Sequence, residues 1–141
     1  MKKAVVIFML FCLSSIIMSG CLANHSGPLT KVVTQVDISC KQEDTTFSRH
    51  YTDTRKMEYV LLYLRLLKRK GKPDADPDTM NKDVYEITVH FSDGTSRVYR
   101  QKAHRYFAEG SGAWQLIDPA QAAGLYKLMA NLQSDPPKQG L

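Results

Sequence analysis

Cysteine is scarce in this sequence: 141 residues hold three, Cys12, Cys21 and Cys40. That count excludes a disulfide-built scaffold. The four histidines, His25, His50, His90 and His104, show no His-x-His or His-Glu-x-x-His spacing, so the local signature of a zinc site is missing. A serine-hydrolase elbow of the Gly-x-Ser-x-Gly type is also missing; the nearest string, Gly110-Ser111-Gly112, falls in a predicted hairpin turn. Cys40 with a distant histidine carries no thiol-protease signature. Neither an internal repeat nor a low-complexity tract is present. Charge of one sign is weak: 19 Lys and Arg against 14 Asp and Glu give +5, and setting aside Lys2 and Lys3 leaves 17 − 14 = +3. So mild an excess argues against a nucleic-acid partner. These absences predict a protein that is not an enzyme and carries no cofactor or metal.

What is present is an uneven distribution of apolar residues. The chain is 43% hydrophobic and 23% charged, the composition of a folded globular protein. Lys2 and Lys3 are followed by an apolar run from Ala4 to Met18 and a small-residue exit at Ser19-Gly20-Cys21, the three-part layout of a cleaved secretory signal. Met18-Ser19-Gly20-Cys21 resembles the lipobox of bacterial lipoproteins, with Met18 where that family usually has Leu, Val or Ile. The resemblance covers the first 21 residues. It implies cleavage by a signal peptidase of type II, a diacylated Cys21 as the mature N-terminus with palmitate among the acyl chains, and a cell-envelope location. The alternative is an uncleaved anchor, since Ala4 to Ala23 approaches the ~20 residues that span a bilayer, diluted by Ser14, Ser15, Ser19 and Gly20. Two acyl chains give stable anchoring where one is marginal. Leu22 stands where Asp commonly marks inner-membrane retention among Gram-negative lipoproteins, so an outer-membrane location is allowed by the same resemblance. The expected organisation is a signal peptide over 1–20, a lipidated tether over 21–28 and one domain over 29–141. Removing the leader leaves 141 − 20 = 121 residues, enough to bury a core without staples.

Within the body, Val32, Val36, Ile38 and Cys40 alternate with polar residues and predict a strand over 30–40, with Cys40 buried and a short second strand over 47–51. Thr52 or Asp53 caps a helix over 53–70 whose stripe is Met57, Val60, Leu61, Leu64 and Leu67. Lys68-Arg69-Lys70 and Gly71 suit its C-terminus. Tyr59, Leu62, Tyr63 and Leu66 widen the apolar face, which predicts either extensive packing on a sheet or a residual patch. Asp74 to Thr79 reads as a solvated acidic linker. Residues 84–117 read as a four-stranded meander, with Asp93-Gly94 turning its first hairpin. A two-residue turn sets Val89 opposite Val98 and a three-residue bulged turn sets it opposite Tyr99. Asp118, Pro119 and Gln121 open a second helix over 119–133, with Gln121 placed to complete a capping box. The fold class is α+β: an antiparallel sheet with both helices on one face and the other face wet or used for contact. The order β(β)αββββα is similar to that of small extracytoplasmic domains of the PepSY and β-lactamase-inhibitor type.

Candidate sites follow from this layout. Asp74, Asp76 and Asp78 repeat the opening of a calcium loop, but Thr79 and Tyr85 stand where it needs Gly and Glu. Arg97, Tyr99, Arg100, Arg105 and Tyr106 interleave cations with aromatics and form the candidate ligand site for a protein or anionic envelope component. The leading expectation is a monomeric, lipid-anchored, non-enzymatic binding domain. Two alternatives stand beside it: an envelope hydrolase using His104 or His90 with nearby carboxylates, and an inhibitor-like module that inserts the loop from Glu109 to Gly112 into a partner's cleft.

Overall fold

The structure is a computed structural model, and it describes residues 31–42 and 45–136. The leader, the lipobox with Cys21, the tether and the expected start of the domain at Leu29 lie outside the described residues. No described helix is long and apolar enough to cross a membrane.

The described residues from Val32 to Pro136 form one compact unit. Strands β1 (Val33–Gln42) and β2 (Thr45–Tyr51) lead into helix α1 (Thr54–Leu66) and a short strand β3 (Arg69–Gly71). A single turn of 3-10 helix (Pro77–Thr79) precedes the meander β4 (Val84–Phe91), β5 (Ser96–Lys102), β6 (Tyr106–Glu109) and β7 (Gln115–Ile117), and helix α2 (Pro119–Asn131) follows. The seven strands form one antiparallel sheet in the order β2-β1-β4-β5-β6-β7-β3. Both helices lie on the same face of the sheet, as α+β patterning requires.

Strand alternation builds the core. Val36, Ile38 and Cys40 of β1 face the helices beside Tyr85, Ile87 and Val89 of β4, and Met57, Val60, Leu125 and Met129 close over them. A second cluster of Phe107, Ile117 and Ala122 sits at the other end, with Leu64 and Leu67 against it. Gln101 is fully buried between them and joins sheet to helices through Tyr63 and the Ala122 carbonyl. Cys40 is a buried free thiol, in keeping with its alternating position.

Several expectations are corrected. Helix α1 ends at Leu66 instead of 70, because Leu67 turns extended (φ −60°, ψ 118°) and Arg69–Gly71 pairs with β7 as an edge strand. Lys68-Arg69-Lys70 therefore does not cap the helix; Lys70 binds Asp118 at 2.9 Å and Arg69 approaches Glu109 at 3.7 Å. Gln121 completes no capping box, since its Oε1 accepts from the Lys68 amide at 3.0 Å. Neither expected hairpin register is found: Val89 faces Arg97. The loop is Ser92-Asp93-Gly94, one residue earlier than a bulge centred past Gly94 needs. Gly94 takes φ +81°, and the Asp93 carboxylate holds Thr95 through its amide (2.9 Å) and hydroxyl (2.6 Å). On α1, Tyr59, Leu62 and Leu66 stay exposed and form the residual patch, while Tyr63 turns inward to Gln101.

The start of α1 is held twice. Asp53 caps it by accepting from the Lys56 amide at 3.1 Å. Asp135, beyond α2, accepts from the amides of Thr52 and Asp53, each at 2.8 Å, and from the Lys56 ammonium. The Lys56 hydrogen bond, aided by both amides and opposed by burial, pulls the Asp135 carboxyl down to about 2. A depressed carboxyl stabilises the fold above its unfolded value of 3.8, and that contribution is lost as pH falls through about 2. With allowance for screening, Asp135→Asn should cost about 1–2 kcal/mol at pH 7. Urea midpoints of the two proteins should differ at pH 7 and converge below pH 2; a constant gap across that range would disprove the linkage.

Candidate functional site

The sheet face away from the helices is covered at one end and open at the other. At the covered end, the segment expected as a solvated linker is docked onto the sheet. Asp74 accepts from the Tyr106 hydroxyl at 2.9 Å and pairs with Arg105, Asp78 accepts from the Trp114 indole at 3.0 Å, and Pro77 is buried. Tyr106 and Ala108, which face this side by alternation, are buried accordingly. Asp76 is spent on its own turn, accepting from the Asp78 amide at 3.0 Å. The three carboxylates thus turn to separate partners, and no cluster suited to a metal ion occurs among the described residues.

At the open end, β2, β1 and β4 lie side by side and present Ser48 and His50, then Gln35, Asp37 and Ser39, then Glu86, Thr88 and His90. Registry sets Asp37 opposite His50 on one side and Thr88 on the other, with His90 one pair along opposite Gln35. The Asp37 carboxylate collects the group: His50 Nδ1 at 2.7 Å from Oδ1, and His90 Nε2 at 2.8 Å and Gln35 Nε2 at 2.7 Å from Oδ2. Partial burial pushes the Asp37 carboxyl up, but the hydrogen bonds from His50, Gln35 and His90 together outweigh it and hold the group below its ordinary value. It is therefore ionised at neutral pH and can only accept.

An acceptor-only carboxylate selects the tautomer of each imidazole in its neutral form. In that form His50 carries its proton on Nδ1 and His90 on Nε2, the nitrogens that face Asp37, which leaves His50 Nε2 and His90 Nδ1 as acceptors. Long-range proton–nitrogen NMR of neutral imidazoles should find these two opposite tautomers, and Asp37→Ala should return His50 toward the Nε2–H form that free histidine favours. Two identical tautomers in the wild type would contradict the arrangement. Among the described residues no hydroxyl or thiol hydrogen bonds either imidazole, so the cluster has an oriented base but no paired nucleophile.

The five residues expected as one ligand site do not form one patch. Arg97 and Tyr99 share the helix-covered face with Val89 and Ile87, and Tyr99 stacks on Phe107 with centroids 5.9 Å apart. Arg100 is on the opposite face, over the Trp114 ring at 4.6 Å. Arg105 is paired with Asp74 and Tyr106 is buried, so both serve the docked segment. Period-two alternation separates 97 and 99 from 100 and 106, and the observed register decides which side each takes. Arg100 also binds the carbonyls of Gly110 (2.9 Å) and Gly112 (3.4 Å), which fixes the 109–112 turn. Gly112 admits no side chain, because a Cβ there would meet the Glu109 carbonyl oxygen at 2.8 Å. His104 stands in a tight turn at φ +52°, its ring edge-on to Tyr85 at 6.2 Å, away from His90.

No spacing motif links the histidines in the sequence, and the joining of His50 to His90 through Asp37 is the part of the site that sequence reasoning missed. Alternation does put all three on outward positions. Their alignment depends on β1 pairing with both β2 and β4, a long-range order that no local pattern in 33–91 encodes. His25 lies outside the described residues. Comparisons with protein-family models, with curated proteins and with solved structures give no match for this chain.

Proposed function

We propose that this protein is a lipid-anchored, extracytoplasmic binding domain of the bacterial envelope, tethered through Cys21 and without catalytic activity. The observation that supports binding is the uncovered end of the sheet, where Asp37 holds two imidazoles and an amide in fixed orientation among Ser39, Ser48, Glu86 and Thr88. A flat surface of preoriented acceptors and hydroxyls suits the polar face of a protein partner. A hydrolase built on His90 would have its orienting carboxylate in Asp37, but among the described residues no hydroxyl or thiol is hydrogen-bonded to that imidazole.

A second reading has its own support: the 109–112 turn is slim and pinned by Arg100, as a loop that enters a cleft must be. Photo-crosslinking residues placed at Ser48, Glu86, Ser111 and Glu58, in intact cells, separate these readings. A shared crosslinked product from Ser48 and Glu86 is expected. A product from Ser111 alone transfers the site to the hairpin, and one from Glu58 alone transfers it to the Tyr59–Leu62–Leu66 patch.

A further inference from the structure

A cavity of about 380 Å3 opens between α2 and the β2-β1-β4 end of the sheet, on the helix-covered face. Its walls are Phe47, Cys40 and Tyr85, which are paired in one row across the three strands, with Tyr126, Met129 and Ala130 of α2 opposite and Arg49 beside Phe47. The volume falls within the roughly 300–1,000 Å3 of small-molecule sites.

Arg49 is the anomaly. It occupies an inward position of β2 between Phe47 and Tyr51, opposite Ile38, where alternation calls for an apolar residue. Its guanidinium stacks on the Phe47 ring at 4.2 Å, and its Nε is sealed from solvent with no acceptor. No ion pair joins it to a carboxylate among the described residues. The acidic groups in the wall do not supply the missing charge. Burial pushes the Cys40 thiol up, and burial together with Cys40 pushes the Tyr85 phenol up to about 12, so both are neutral at physiological pH. The nearby Asp83 carboxylate acts on both groups in the same direction. Arg49 is half-buried, and its sealed, unpartnered Nε beside a mostly apolar pocket leaves a hydrogen-bond position that an anion can complete.

We propose that this pocket binds a single-chain carboxylic acid, with its apolar chain against Tyr85, Tyr126 and Met129 and its carboxylate on Arg49. A carboxylate is favoured because the guanidinium edge offers two parallel N–H donors to a planar bidentate acceptor. The ring of Phe47 holds that edge in place before the ligand arrives. This site is separate from the Asp37 cluster, which lies on the other face of the sheet.

The test is equilibrium dialysis of radiolabelled decanoate against full-length protein in nanodiscs, with empty nanodiscs as the blank. Saturable binding of one decanoate per chain above the blank is expected. Charge-assisted hydrogen bonds make Arg49→Gln about tenfold weaker or more, and decanol, with the same chain and no charge, should compete about tenfold less well against the unmodified protein. Met129→Trp, which fills the cavity from α2, should abolish saturable binding. The decanol comparison needs no variant and stands even if Arg49→Gln fails to fold. Binding no greater than in empty discs, or decanol competing as well as decanoate, overturns the proposal.

Discussion

Gln101→Met should be among the most damaging single changes in the domain, lowering unfolding free energy by about 2–3 kcal/mol. Gln101 is fully buried on β5, where the two apolar clusters meet. Its amide donates to the Ala122 carbonyl at 3.1 Å and its oxygen accepts from the Tyr63 hydroxyl, so one side chain ties the sheet to α1 and α2. Burial drives the Tyr63 phenol well above its ordinary value, against the smaller opposing effect of the Gln101 bond, so the hydroxyl is always a donor. Methionine keeps the volume but removes the acceptor. The Tyr63 hydroxyl is then left with only a 3.5 Å approach to the Ala122 carbonyl.

Such a bridge is worth more than its parts, because an unmade buried bond costs more than a made one contributes. Tyr63→Phe alone should cost about 1 kcal/mol, and the double variant should be little worse than Gln101→Met, giving a coupling of about 1 kcal/mol. Urea unfolding of the four proteins measures it. If Gln101→Met fell within about 0.5 kcal/mol of wild type, the bridge would be structurally idle.

The fold was legible wherever local chemistry decides the outcome. The period-two run expected over 30–40 forms β1 (Val33–Gln42), the alternation after residue 84 forms β4 (Val84–Phe91), and the Asp53 and Asp118 caps open both helices where the sequence places them. The places where the reading failed share a cause, which is competition from distant backbone. Lys68-Arg69-Lys70 suits a helix end, yet β7 offers an unpaired edge and takes residues 69–71 as a strand. Asp74 to Thr79 has linker composition, yet Tyr106 and Trp114 supply donors that dock it. The expected patch of Arg97, Tyr99, Arg100, Arg105 and Tyr106 ran against the period-two alternation of β5, which divides Arg97 and Tyr99 from Arg100 in any register; the observed register sets which group faces the helices. Asp37 and His50 drew no notice as site residues because neither belongs to a spaced motif; strand order alone brings them to His90.

Cys21→Ser carries the largest expected effect on the protein in the cell. Serine offers no thiol for acylation, so the lipoprotein pathway implied by Met18-Ser19-Gly20-Cys21 stops at its first step. On the proposed anchoring, the two acyl chains supply the domain's hold on the bilayer, where one chain alone is marginal. Fractionation should show the variant either as a precursor with its leader intact or as released protein, in place of the mature membrane-bound form. The fold, held by Tyr51, Gln101 and Asp135 far along the chain, should be unaffected.

The most direct measurement is the intact mass of the wild-type protein extracted from membranes. An anchored binding domain predicts a chain that begins at Cys21 and carries the added mass of a diacylglyceryl group and any further acyl chain. A full-length chain with unmodified Cys21, or a cleaved chain without lipid, would contradict it.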